Sequence, residues 1–82
     1  MPGLYFSVRK VEVISPYTLK LWFEDGCIKT YDMTPLLGLR CFTKLKNEQV
    51  FRKARPFGGS VIWDDDTDIA PEELYDNGIP CE

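Results

Sequence analysis

The sequence predicts a small α+β domain: an antiparallel sheet of about four to five short strands, with a hairpin over 18–32 at its centre, one two-turn helix over 47–54, and short helical turns over 34–37 and 71–75. Three observations carry this prediction. Apolar and polar residues alternate through VRKVEVI (8–14) and TLKLWFE (18–24), which is the period of a half-buried strand. Asp25-Gly26 stands between the second run and a third, CIKTYDM (27–33), and this pair suits a two-residue hairpin turn that needs φ above zero. In NEQVFRKAR the apolar residues Val50, Phe51 and Ala54 fall on one helical face.

Taken in order, SPYT (15–18) supplies the turn between the first two strands. A two-residue turn at Asp25-Gly26 then pairs Phe23 with Ile28, Trp22 with Lys29 and Lys20 with Tyr31. Leu19, Leu21, Phe23, Ile28 and Thr30 then share the core face. Trp22, Tyr31, Lys20 and Lys29 share the outer one. Thr34 is placed to cap a helical turn, with Pro35 at its first position and Gly38 at its exit. Asn47 is a good N-cap for the 47–54 helix. Gly58-Gly59 marks a tight approach or bulge, SVIW (60–63) reads as a strand, DDTD as its turn and TDIA as a short return. Pro71 begins a last helical turn whose two acids suit the helix dipole. Residues 1–82 form a single domain, with 76–82 expected as a frayed tail.

Composition removes several function classes. There is no histidine among the 82 residues, so His-based catalytic pairs, triads and zinc sites are unavailable. Three cysteines, Cys27, Cys41 and Cys81, form no metal-binding pair and are expected as buried thiols in a reducing compartment. No apolar run reaches the roughly 18 residues of a membrane span, and the first ten residues do not read as an export signal; both point to a cytoplasmic protein without a membrane partner. The net charge of −3 argues against direct nucleic-acid binding. The charge is uneven, with a basic KLKNEQVFRKAR (44–55) and eight acids but no Lys or Arg in 64–82.

VIWDDDTDIAPEELY (61–75) is the obvious place to look for chemistry. Asp64, Asp66 and Asp68 have the i, i+2, i+4 spacing that opens a calcium loop, but Ile69 stands where the sharp-turn glycine belongs and Tyr75 where the bidentate glutamate belongs. Adjacent turn aspartates also share water, the opposite of the separated environments that general acid and base need. The favoured reading is a solvated hairpin turn, with no catalytic residue and no cofactor.

Taken together, LWFEDG, YDMTPLL, NEQVFRKAR and FGGSVIWDDDTDIAPEELY resemble the bacterial family known as domain of unknown function 2442, over nearly all of residues 5–75. The matching positions are Asp25, Gly26, Asp32, Pro35, Trp63, Asp68, Pro71, Leu74 and Tyr75, which read as turn, cap and core determinants. Here Asp64, Asp65 and Asp66 fill a gap that often holds Pro or Asn with Gly. The resemblance implies a compact α+β fold and no established catalytic residue. It also implies frequent encoding beside another small protein of unknown function, an arrangement similar to a toxin and antitoxin pair. The resulting expectation is a non-catalytic interaction module, an antitoxin-like partner of a neighbouring gene product, able also to self-associate. Its binding candidates are Trp22, Tyr31, Lys20 and Lys29; the commoner arrangement for such residues has Trp22 and Tyr31 lying under another part of the domain or packed on the lysine stems. The alternatives are a regulatory domain working with a DNA-binding partner and a carboxylate metal module.

Overall fold

In the computed structural model, which describes residues 7–64 and 67–80, β1 (Val8–Ser15) turns back into β2 (Thr18–Phe23) and β2 into β3 (Ile28–Asp32). All pairings are antiparallel, and the α+β class holds. With β4 (Arg55–Phe57), β5 (Ser60–Asp64), β6 (Thr67–Ile69) and β7 (Ile79–Pro80), the seven short strands among the described residues form two sheets, in the orders β1-β2-β3-β7 and β4-β5-β6, so the hairpin over 18–32 is central to the larger one.

The turn between β1 and β2 has Pro16 at a position suited to its fixed φ, and then Tyr17 at φ 69. This is the pattern of a type II turn, whose third residue is ordinarily Gly or Asn. Tyr17 tolerates it because the ring is anchored: it meets Phe51 edge-on at 5.5 Å, and its hydroxyl donates to the Lys46 carbonyl.

The turn between β2 and β3 differs from the two-residue loop that the sequence suggests. Phe23 N–H donates to the Cys27 carbonyl and Gly26 N–H to the Phe23 carbonyl, which leaves Glu24, Asp25 and Gly26 as a three-residue loop with Gly26 at φ 91. A β-turn followed by a left-handed residue is the usual form of such loops. The register moves by one residue: Trp22 pairs with Ile28, Leu21 with Lys29, Lys20 with Thr30 and Leu19 with Tyr31. Because side chains alternate, the slip exchanges the two faces of β3.

The middle of the chain is built from tight turns. Thr34–Leu36 is a single 3-10 turn, and Arg40–Lys46 a longer 3-10 segment. Its buried residues, Phe42 and Leu45, are three apart, so the three-residue period stacks them on one side. Asn47 caps α1 (Glu48–Phe51) by accepting Gln49 N–H at 2.9 Å. α1 is shorter than the expected 47–54. Lys53 and Ala54 bond three residues back, and Arg55, preceding a proline, is disfavoured in helical backbone and starts β4 (Arg55–Phe57).

Gly58 and Gly59, at φ 59 and 88, form a two-residue turn into β5 (Ser60–Asp64), which pairs with β6 (Thr67–Ile69). Positive φ at both central positions is the signature that suits the twist of adjoining strands. Pro71 opens α2 (Pro71–Asn77), and β7 (Ile79–Pro80) adds to β3 through Thr30 and Lys29. The tail expected to fray from residue 76 is therefore built into helix and sheet as far as Pro80; Gly78 N–H, donating to the Leu74 carbonyl at 2.9 Å, closes the turn that joins them.

The two sheets meet where Val8 N–H donates to the Gly59 carbonyl at 2.8 Å. Between them lies one apolar core of Leu19, Leu21, Phe23, Met33, Leu45, Phe51, Val61, Trp63 and Leu74, all essentially without solvent contact. The smallest dimension of the backbone, 18 Å, leaves room for one such layer, because packed sheets lie about 10 Å apart.

Candidate functional site

The outer face of the larger sheet follows from the pairing rows. Lys10 lies opposite Trp22, which lies opposite Ile28; in the next row Glu12, Lys20 and Thr30 are neighbours. Trp22 is half-buried, with the Lys10 ammonium 4.7 Å and the Lys20 ammonium 5.3 Å from its ring centroid. Both are within cation–π reach. The result is an indole flanked by two cations, on a face whose residues are all exposed or half-buried. Of the four candidate partner residues, Trp22 and Lys20 are here.

Tyr31 and Lys29 are not. The one-residue slip carries both to the inner side. Tyr31 is buried at 7% exposure, and its hydroxyl donates to Glu73 Oε2 at 2.8 Å. Burial first, and then this bond to a carboxylate, push its pKa up to about 12. Lys29 lies over the Tyr75 ring, 3.8 Å from the centroid, and its ammonium donates to the Tyr75 carbonyl. These residues dock α2 onto β3.

The loop is tied to the same helix. Asp25 accepts the Tyr75 hydroxyl through Oδ2 and Cys27 N–H through Oδ1 at 2.9 Å. The Cys27 thiol lies 3.4 Å from Asp25 Oδ2 and 3.7 Å from the Tyr75 hydroxyl. Hydrogen bonds from Tyr75 and then Cys27 hold the Asp25 carboxyl below its ordinary value, and the same bond to Asp25 pushes the Tyr75 phenol up. Asp32 is likewise held low by Thr34, whose N–H it accepts at 2.9 Å. Thr34, expected as the cap, is thus the first helical residue, with Pro35 following; the N-cap position is Met33, without a side-chain bond, and Asp32 accepts the Thr34 N–H from just outside the turn. A general acid or base works best with a pKa near the operating pH, and these shifts all lead away from neutrality.

The remaining motif residues close the second sheet. Trp63 is buried, donates Nε1–H to the Phe51 carbonyl at 3.0 Å, and packs beside Phe51 and Phe42 with ring centroids at 5.9 and 6.3 Å. Leu74 is fully buried. Asp64 pairs with Lys44 at 3.0 Å; Asp68 is exposed, opposite Ile62 on the outward side of β5 and β6. Asp65 and Asp66 lie outside the described residues, and with Asp66 goes one member of the Asp64, Asp66, Asp68 metal reading. Among the described residues, no group of three acids or cysteines is arranged to hold a metal. Cys41 is exposed and Cys27 half-buried, so neither is the buried thiol that the sequence suggests; Cys81 is outside the described residues.

Two surface hollows accompany these features. One of about 230 Å³ lies between the end of β1 and α1, against Glu48, Phe51 and Arg52, and is smaller than the roughly 300 Å³ at which small-molecule sites begin. The other, about 400 Å³, lies over Arg55, Phe57, Ile62, Asp64 and Asp68. No helix among the described residues is long and apolar enough to cross a membrane.

Sequence reasoning missed Lys10 as the second cation at Trp22, Glu73 as the acceptor for Tyr31, and the exposed Phe57. Lys10 was legible in principle, since pairing 8–14 with 18–24 through the short 15–18 turn sets it beside Trp22. Glu73 was not, because the contact joins residues 42 positions apart.

The model of a family described as "Protein of unknown function (DUF2442)" matches residues 8–80. No curated protein and no solved structure matches the chain.

Proposed function

The chain belongs to the DUF2442 family, and on that premise we propose that it is a non-catalytic, cytoplasmic protein-interaction module that engages its partner through the outer face of the larger sheet. The observation that carries this reading is Trp22, held half-exposed between Lys10 and Lys20. Tryptophan is among the residues most enriched at the centres of interfaces, and a pair of flanking lysines suits a partner that presents carboxylates around an apolar spot. The pKa shifts at Asp25, Tyr31, Asp32 and Tyr75 support a structural role for the chain's titratable cluster. In its specific form the proposal is an antitoxin-like partnership with a small protein encoded beside this one. The same reading expects no retardation of DNA by the chain alone.

Co-expression with the adjacent gene product, followed by size-exclusion chromatography, tests it. The two proteins should co-elute, and Trp22→Ala should weaken the complex at least about tenfold while the far-ultraviolet spectrum stays unchanged. Independent elution of the two wild-type proteins would overturn the proposal.

A further inference from the structure

The second sheet has an outward face that the partner reading does not use. Its residues come from three strands in one row: Arg55 on β4 pairs with Ile62 on β5, which pairs with Asp68 on β6. Phe57, next along the same side of β4, is 68% exposed, and the hollow of about 400 Å³ joins all four with Asp64. Phe57 and Ile62 side by side over this hollow make a contiguous apolar patch with a charged rim, the kind of surface that marks an interaction site.

The row is charged at its ends and apolar at its centre. Asp64 is already matched by Lys44, whereas neither Arg55 nor Asp68 takes part in an ion pair among the described residues. They stand two strand spacings apart, roughly 10 Å, with Ile62 between them. Such a row is complementary to itself. When a second copy is laid face to face, rotated about a two-fold axis parallel to the strands, its Asp68 comes over this Arg55 and its Arg55 over this Asp68. Ile62 meets Ile62, and Phe57 is covered. An axis perpendicular to the strands would instead oppose Arg55 to Arg55, so the charges choose one arrangement.

We propose that this face is the contact between two copies of the chain, an isologous dimer held by Ile62 at its centre, by Phe57 beside Arg55 on the flanking strand, and by reciprocal Arg55–Asp68 pairs. The occupant is a second copy because the charge pattern repeats itself in reverse across the row, which a surface shaped for one basic or one acidic ligand has no reason to do. Three short strands make a small contact, so the dimer is a weak one, with Kd on the order of 10–100 µM.

Sedimentation equilibrium of the whole chain at roughly 0.1–1 mM reads the outcome. The wild type should dimerise; Arg55→Asp and Asp68→Arg should each weaken self-association about tenfold or more, because each opposes like charges twice. An equimolar mixture of the two variants should regain the wild-type mass, since every Arg–Asp contact is then restored between unlike chains. Phe57→Asp should leave a folded monomer, and Trp22→Ala should leave the dimer intact. A wild type that stays monomeric, a dimer indifferent to either charge reversal, or a mixture that stays monomeric would each overturn the proposal.

Discussion

The β2–β3 hairpin turns through Glu24, Asp25 and Gly26, whereas the β4–β5 hairpin turns through Gly58 and Gly59 alone. Both loops contain left-handed glycine, and by composition either could have been the two-residue turn. In the second, each central position takes positive φ and the flanking residues Phe57 and Ser60 pair directly. In the first, only Gly26 is left-handed, and the exposed Asp25 accepts Cys27 N–H and the Tyr75 hydroxyl. The added residue decides which side of β3 faces α2. A two-residue loop would have directed Ile28 and Thr30 inward. The three-residue loop directs Lys29 and Tyr31 there, where both find polar partners on α2. A glycine pair thus sets a turn by local geometry, while an Asp-Gly pair leaves the choice to whatever the aspartate can reach.

The sharpest way to break the second hairpin is through Trp63, the larger of its two buried inward side chains beside Val61. Trp63→Ala should cost about 3–5 kcal/mol, since it opens a cavity against Phe42 and Phe51 and removes the indole bond to the Phe51 carbonyl, which is left with the Ala54 N–H alone. Urea denaturation should show a lower midpoint with an unchanged slope. Smaller effects separate the two turns. A Cβ at Gly59 would meet Ser7 Oγ at 3.0 Å on a backbone at φ 88, whereas at Gly58 and Gly26 nothing lies within 4 Å. Gly59→Ala should therefore cost about 2–3 kcal/mol, and Gly58→Ala and Gly26→Ala about 1–2 kcal/mol each from backbone strain alone. Equal losses at Gly58 and Gly59 would show that the approach of β1 to the second turn is not a tight one.

Much of this architecture was legible from residue order. Alternation placed β1 and β2, SVIW read as the strand that became β5, Asn47 announced its cap, Pro71 announced α2, and Leu19, Leu21 and Phe23 were recognisable as core. The register of β3 was not, and the reason is specific. Residues 27–33 hold Cys, Ile, Thr, Tyr and Met on both faces, so neither face is polar enough to exclude the other register. The deciding contacts, Tyr31 to Glu73 and Asp25 to Tyr75, join β3 and its loop to a helix more than 40 residues away. Half of the candidate surface moved with that register: Trp22 and Lys20, fixed by β2, stayed outside, and Tyr31 and Lys29 did not.

Acid should sharpen the comparison, because the carboxylates with lowered pKa values lie in or just after the first hairpin. Asp25 and Asp32 are both held below the ordinary 3.8 in the folded chain. Their contribution is complete above that value and is lost as the pH falls through their folded pKa values. Wild-type stability should decline below about pH 4, and Asp25→Asn should be less stable at neutral pH with a shallower decline. Melting temperature against pH measures both. A decline of unchanged steepness in Asp25→Asn would mean that Tyr75 and Cys27 do not engage the carboxylate in solution.

The smallest effect is at the other end of the pH scale and tests the register itself. Tyr31 has a folded pKa raised from 10.0 to about 12, so its contribution is complete below 10.0 and is lost as the pH rises through the higher value. Tyr31→Phe keeps the ring in the core and removes only the hydroxyl. The Glu73 carboxylate left behind is exposed and keeps the Asn77 side-chain amide, which donates to it at 2.9 Å, so no buried group is orphaned and the loss at neutral pH should be about 1 kcal/mol. Between pH 10 and 12, however, the variant, which still carries the raised phenol of Tyr75, should decline less steeply than the wild type, and the two curves should converge. If Tyr31 faced outward with Trp22, as the two-residue loop requires, its phenol would titrate in the ordinary range, and removing it would change neither the neutral stability nor the alkaline slope. Spectrophotometric titration of the phenols in the wild type and in Tyr31→Phe therefore distinguishes the two registers by whether the lost phenol titrates near 10 or near 12.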